Sequence, residues 1–226
     1  MKKQTDFKSE TEVAEIIIPY LKEMKWEIYQ EVQPRHYSDI ADIVAIQGNL
    51  VWVLECKRSF SLNVISQAYN WKYYAHYVSI VIPYLYRDKN HSLKKKILDY
   101  FGIGCYQVSK GYYEPVKEFS PVKLNRKADG KFITLCLTEQ HKTWAKAGNA
   151  NGDRYTPFQN TKRQLIQTVK KNPGISMKEL IKSIDHHYAS DSSAKGSLLQ
   201  WIHKGVIKEL QLKQEGRSYK IYLKEK

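Results

Sequence analysis

Two apolar runs of β character, Asp42-Ile43-Val44-Ala45-Ile46 and Val51-Trp52-Val53-Leu54-Glu55-Cys56-Lys57, flank the turn signal Gln47-Gly48-Asn49. β-Branched and aromatic residues on both sides of a glycine-containing break predict a hairpin. Side chains alternate between the faces of a strand, so Glu55 and Lys57 project to one side and Cys56 to the other. Asp42 enters the hairpin at that same end. Acids are poor strand formers, and two carboxylates beside an ammonium make a poor core. The same patch suits a hard divalent cation, a water and a phosphate.

The flanks extend the pattern. Val13, Ile16, Ile17, Tyr20, Leu21 and Met24 recur at helical spacing behind Ser9-Glu10-Thr11-Glu12. Ser9 or Thr11 can cap that helix, and Glu10 and Glu12 suit the positive end of its dipole. Trp26 to Val32 alternates as a strand. Beyond the hairpin, Phe60 to Tyr77 reads as a helix that carries Gln67, and Val78 to Ile82 as an apolar strand. Ser92–Phe101 predicts a further helix and Gly102–Val108 a last sheet strand.

The acid, the acid-x-Lys strand end and this order of elements resemble the PD-(D/E)xK nuclease superfamily, including its Holliday-junction-resolvase-like branch. The resemblance spans residues 8–108 and implies an α/β, restriction-endonuclease-like αβββαβ core. It implies that Asp42, Glu55, the main-chain carbonyl of Cys56 and Glu10 hold Mg²⁺ or Mn²⁺. Glu12 is the alternative to Glu10. Catalytic roles fall on Asp42, Glu55, Lys57, Glu10 and Gln67, the lysine and glutamine acting on the attacking water. Asp39 competes with Asp42 but lies outside the strand, and His36 reads as a loop residue near the site.

At 226 residues with 42% apolar side chains, the chain has material for one large or two small domains, which argues against global disorder. No apolar run approaches the roughly 18 residues that span a bilayer. The first residues, Met1-Lys2-Lys3-Gln4-Thr5-Asp6, lead into charge instead of an apolar stretch, so no signal peptide is expected. Cys56, Cys105 and Cys136 are odd in number and lack histidines at zinc spacing; they read as reduced thiols of a cytoplasmic protein.

Net charge is +14, unevenly spread. Residues 160–226 hold 14 lysines and arginines against 6 acids, a net +8, more than half of the excess. Such a surface gathers polyanions by counterion release. The middle of the chain is less regular: residues 109–130 read as an irregular connection with room for a hairpin, Leu135–Ala147 as a helix carrying Trp144, and Gly148–Asp153 as a linker. The expected domains are therefore 1–150 and 151–226.

In the C-terminal part, Thr161–Lys171 predicts a helix stopped by Asn172-Pro173-Gly174. Ser176 and Glu179 stand in capping-box spacing before a second helix. Ser192–Lys204 predicts a third, with Leu198, Leu199, Trp201 and Ile202 inward. Ser193, Ser197, Gln200 and Lys204 share its outer face. Strands at Val206–Leu212 and Ser218–Leu223 follow, hinged at Gln214–Arg217. Three helices and a hairpin resemble a winged helix-turn-helix domain, which implies DNA contact through Ser193, Ser197, Gln200, Lys204 and the hinge residue Arg217. His186 and His187 precede the third helix without further zinc ligands.

The resulting expectation is a Mg²⁺- or Mn²⁺-dependent DNA endonuclease, with RNA left open as substrate, a homodimer allowed and no membrane partner. The alternative is a catalytically inert nuclease fold that serves as a DNA-binding regulator or adaptor.

Overall fold

A computed structural model describes residues 7–34, 39–86, 88–111, 113–149, 155–215 and 218–224, without the side chain of Ser218. The chain divides into two compact units, residues 1–154 and 155–226.

The first unit is a mixed α/β layer structure. Its elements run α1 (Glu10–Glu23), β1 (Glu27–Val32), β2 (Ala41–Gln47), β3 (Leu50–Cys56), α2 (Leu62–Trp71), β4 (Tyr77–Pro83), α3 (His91–Phe101), β5 (Gly104–Val108), β6 (Val116–Ser120) and the short α4 (Lys131–Thr134). The six strands lie in chain order; β3, β4 and β5 are parallel, and every other neighbouring pair is antiparallel. The two-residue β2–β3 turn places Gly48 at φ +57°, where a side chain is strained.

Period-two alternation divides the core into two layers. Val13, Ala14, Ile17 and Leu21 of α1 pack with Ile43, Ala45, Trp52, Leu54 and Cys56 on one face. Val64, Ile65, Ala68 and Trp71 of α2 and Leu98 of α3 pack with Val44, Val51 and Val53 on the other. Burying each of these large side chains contributes about 1.5–3 kcal/mol, so the sheet is held from both sides. The strand end that carries Glu55 and Lys57 opens between the two helical layers.

Several expectations are corrected. The helix expected over 60–77 stops at Trp71, because the N–H groups of Tyr74 and Ala75 both return to the Trp71 carbonyl. Tyr77 instead begins β4, paired with Trp52. Leu135–Ala147 is not one helix: it holds a 3₁₀ turn at Glu139–Lys142, and Leu135 is 84% exposed. Its main chain is claimed from afar: Gln30 Nε2 donates to the Lys142 carbonyl, and the Ala147 N–H donates to Gln30 Oε1. The 109–130 connection supplies β6, which lies at the edge of the sheet beside β5.

The second unit holds α5 (Pro157–Lys171), β7 (Ile175–Ser176), α6 (Met177–Lys182), α7 (Asp191–His203), β8 (Leu210–Glu215) and β9 (Ser218–Leu223). The strands form a three-stranded sheet in the order β7-β9-β8. Leu165, Val169, Leu180, Leu198, Ile202 and Ile221 form its core. α5 begins earlier than the apolar period, because Thr156 caps it and Pro157 occupies its first turn. The Ser176–Glu179 capping box is present. β8 starts at Leu210 and not at Val206, since the Val206 and Ile207 N–H groups fold back onto the Trp201 carbonyl. β7 is an element the sequence pattern does not reveal. Among the described residues no helix is long and apolar enough to cross a membrane.

Candidate active site

The β2–β3 register sets Ile43 opposite Leu54, which places Asp42 beside Glu55 at the end of the hairpin. Asp42 Oδ2 accepts the Cys56 N–H at 2.8 Å and the Lys57 ammonium at 3.0 Å. Lys57 Nζ also lies 3.6 Å from Glu55 Oε2 and 3.3 Å from Glu10 Oε2. Glu10 reaches it because Ser9 caps α1, accepting the Glu12 N–H, and so starts the helix over the strand end. One ammonium thus holds three carboxylates drawn from α1, β2 and β3. The site sits beyond the carboxyl end of β3, where open α/β sheets leave their crevice.

These four side chains line a cleft of about 310 Å³ together with Asp39 and Gln67. Gln67 projects into it from α2. Asp39 precedes β2 and accepts a hydrogen bond from Asn70 Nδ2 at 3.4 Å. Glu12 turns elsewhere: it binds Lys110 Nζ and the Lys8 N–H, each at 2.7 Å. The Cys56 thiol is buried in the α1 layer, so only the main chain of Cys56 borders the acids. In the second unit Ser193 and Gln200 are exposed along α7, Lys204 is exposed at its C-cap, and Ser197 is half-buried. Arg217 and His36 lie outside the described residues. His186 pairs with Asp191 and His187 with Thr161.

Three features of the cleft escape the sequence pattern. Trp71 Nε1 donates to Glu55 Oε1 at 2.7 Å, fixing the carboxylate from a fully buried ring. Trp71 follows Gln67 by four residues, so helical periodicity could have flagged it. Glu31 is the second. It is 5% exposed and has φ +52°, a backbone region that costs a non-glycine residue about 1–3 kcal/mol. The β1–β2 register sets it opposite Asp42. The third is the presumed linker: the N–H groups of Gly148 and Asn149 donate to Glu31 Oε1 at 2.7 and 3.3 Å. Gly148 is at φ +73°, and a Cβ there would fall 2.7 Å from the Glu10 carbonyl carbon, so only glycine fits against the start of α1.

The electrostatics follow from crowding acids in a half-closed cleft. Burial drives the Glu55 carboxyl well above its usual range and the Asp42 charge adds to this, against the pull of Lys57 and Trp71. Burial also pushes Glu31 up to about 7, with Asp42 contributing and the Asn149 and Gly148 N–H groups opposing. Burial alone would lower the lysine, but Asp42, Glu55 and Glu10 outweigh it and hold Lys57 protonated above its ordinary range. Within this cluster the Lys57 ammonium donates to Asp42 Oδ2 and Glu10 Oε2.

Among the described residues no group of three or more His, Cys, Asp or Glu side chains is arranged to hold a metal ion. The acids gather on the Lys57 ammonium instead. Their chemistry nonetheless fits a hard cation: the donors are all oxygen, and one ammonium leaves three carboxylates under-neutralised. No protein-family model, curated protein or solved structure matches the chain.

Proposed function

We propose that the first unit is a nuclease of the PD-(D/E)xK kind that hydrolyses DNA phosphodiester bonds with Mg²⁺ or Mn²⁺. The observation that carries this reading is the convergence of Glu10, Asp42 and Glu55 on Lys57 Nζ, within 3.0–3.6 Å, at the mouth of one cleft. Asp42, Glu55 and the Cys56 carbonyl would hold the cation, with Glu10 beside them. Such a cation polarises the scissile phosphate and lowers the pKa of a bound water. Lys57, kept charged by its neighbours, orients the water and offsets charge that builds on the phosphate oxygens. Trp71 keeps Glu55 in place, and Gln67 positions the water or the lysine.

The order α5-β7-α6-α7-β8-β9 of the second unit supports a winged-helix reading, in which α7 would be the recognition helix and β8–β9 the wing. The unit's net +8 supports a role in DNA affinity. Ser193, Ser197, Gln200 and Lys204 would meet the groove, and Arg217 the backbone.

The deciding experiment is incubation of the purified chain with supercoiled, linear and single-stranded DNA. Cleavage is expected with Mg²⁺ or Mn²⁺ and none in chelator. Tight binding without cleavage under every divalent condition would overturn the nuclease reading in favour of an inert DNA-binding adaptor. A chain ending at residue 154 retains cutting at saturating substrate, because no proposed catalytic group is lost. It binds more weakly and with a flatter salt dependence, since fewer phosphates are neutralised. Binding titrations at several salt concentrations check this; an unchanged salt slope would assign the second unit to protein contact.

A further inference from the structure

A second cleft of the first unit, larger than the acid cleft, has no part in the acid site. It spans about 670 Å³ between the C-terminal ends of α2 and α3 and residues 123–128. α2 and the turn after it serve both places: Gln67 and Trp71 face the acids, while Tyr69 of the helix and Lys72 and Tyr73 just beyond its end line this second cleft. Tyr73 is 69% exposed and Tyr100 84% exposed. Tyr69 bridges to Tyr73 at 6.1 Å and to Phe101 at 5.3 Å between ring centroids, and Phe101 meets Tyr100 at 5.1 Å. Edge contacts between these rings leave phenol faces open to solvent, where burial gives them no stability.

Around the rings stand three lysines and one acid. Lys72 donates to the Phe101 carbonyl and Lys123 to the Asp99 carbonyl, at 2.8 Å for the latter. These bonds hold both ammonium groups at the lip of the cleft. The acid, Asp99, is engaged by the Ser120 hydroxyl at 2.9 Å. Lys72 is half-buried, and its pKa is lowered by burial and by Lys123, so an anion arriving here relieves a crowded positive pair. Open aromatic faces flanked by cations are the surface that single strands recognise: bases stack and phosphates pair.

We propose that this cleft binds a single-stranded segment of nucleic acid, its bases stacked on Tyr73 and Tyr100 and its phosphates held by Lys72, Lys123 and Lys127. The proposal rests on the cleft alone and stands whether or not the acid cluster cuts.

The test uses the full chain in chelator with a fluorescein-labelled oligothymidylate of about 12 nucleotides, within the roughly 4–16 that single-strand sites cover. Excess unlabelled duplex occupies the duplex-binding surfaces, and anisotropy reads the affinity. The double variant Tyr73→Ala/Tyr100→Ala should bind at least about tenfold more weakly, while Tyr73→Phe/Tyr100→Phe stays within about twofold of the parent. Both side chains are exposed, so the fold is kept, and unchanged duplex binding confirms this. An abasic oligomer should bind the parent as weakly as the thymidylate binds the alanine variant. An oligouridylate of equal length tells RNA from DNA as the source of the strand, and a preference for either supports the site. Parent-like affinity of the alanine variant, or equal affinity for abasic and base-bearing oligomers, overturns it.

Discussion

Asp42→Asn and Glu55→Gln each lower divalent-dependent DNA cleavage by about 10³-fold or more. Either change removes one of the hard anionic donors on which the proposed chemistry depends, and several kcal/mol of charge stabilisation go with it. The loss does not come from unfolding. Asparagine at 42 can still accept the Cys56 N–H, and glutamine at 55 can still accept the Trp71 N–H. Each substitution also relieves the crowding of carboxyl groups around Lys57, so the variants remain folded in chelator. Cleavage rates measured at equal folded concentration decide the matter. Parent-like cutting by Asp42→Asn would remove the acid cluster from the reaction and leave any nuclease activity without this site.

Glu31→Gln acts on stability, with a sign set by pH. The folded chain holds the Glu31 proton up to about pH 7, against 4.5 for an ordinary glutamate. Between those values the folded state binds more protons than the unfolded chain, so the cost of an ionised Glu31 grows as pH rises and is complete above 7. At about 1.4 kcal/mol per pH unit, the full penalty is about 3 kcal/mol. Glutamine keeps an oxygen for the Gly148 and Asn149 N–H groups and carries no charge. In chelator the variant should therefore exceed the parent by about 2–3 kcal/mol at pH 8.5 and match it near pH 4.5. Urea denaturation at both values measures this. A pH-independent difference would mean that Glu31 is not the group whose charge the fold resists. A fold that keeps a strained, buried acid at φ +52° gives up stability for it, as functional positions do.

Much of this arrangement is legible in the chain alone. Strand alternation places Glu55 and Lys57 on one face and Cys56 on the other, and the turn at Gly48 brings Asp42 to the same end. Ser9 and the Ser176–Glu179 box mark helix starts by local hydrogen bonding. These features depend on residues within a few positions of one another, and each obeys a period or a cap that sequence displays directly.

The failures share a different cause. Leu135–Ala147 carries a helical pattern, yet its main chain is bound by Gln30, and Leu135 is left in solvent. The Phe60–Tyr77 pattern is cut at Trp71, and its last tyrosine is taken by the strand ladder with Trp52. The turn-rich segment at Gly148 reads as a linker, but it packs on the first turn of α1 and supplies two N–H groups to an acid 117 and 118 residues earlier. From sequence came the hairpin, its facing side chains and the caps, because backbone sterics and short-range hydrogen bonds decide them. Only the tertiary structure decided that Glu31, Trp71 and Gly148 join the acids, because burial and charge act on neighbours in space, whatever separates them along the chain.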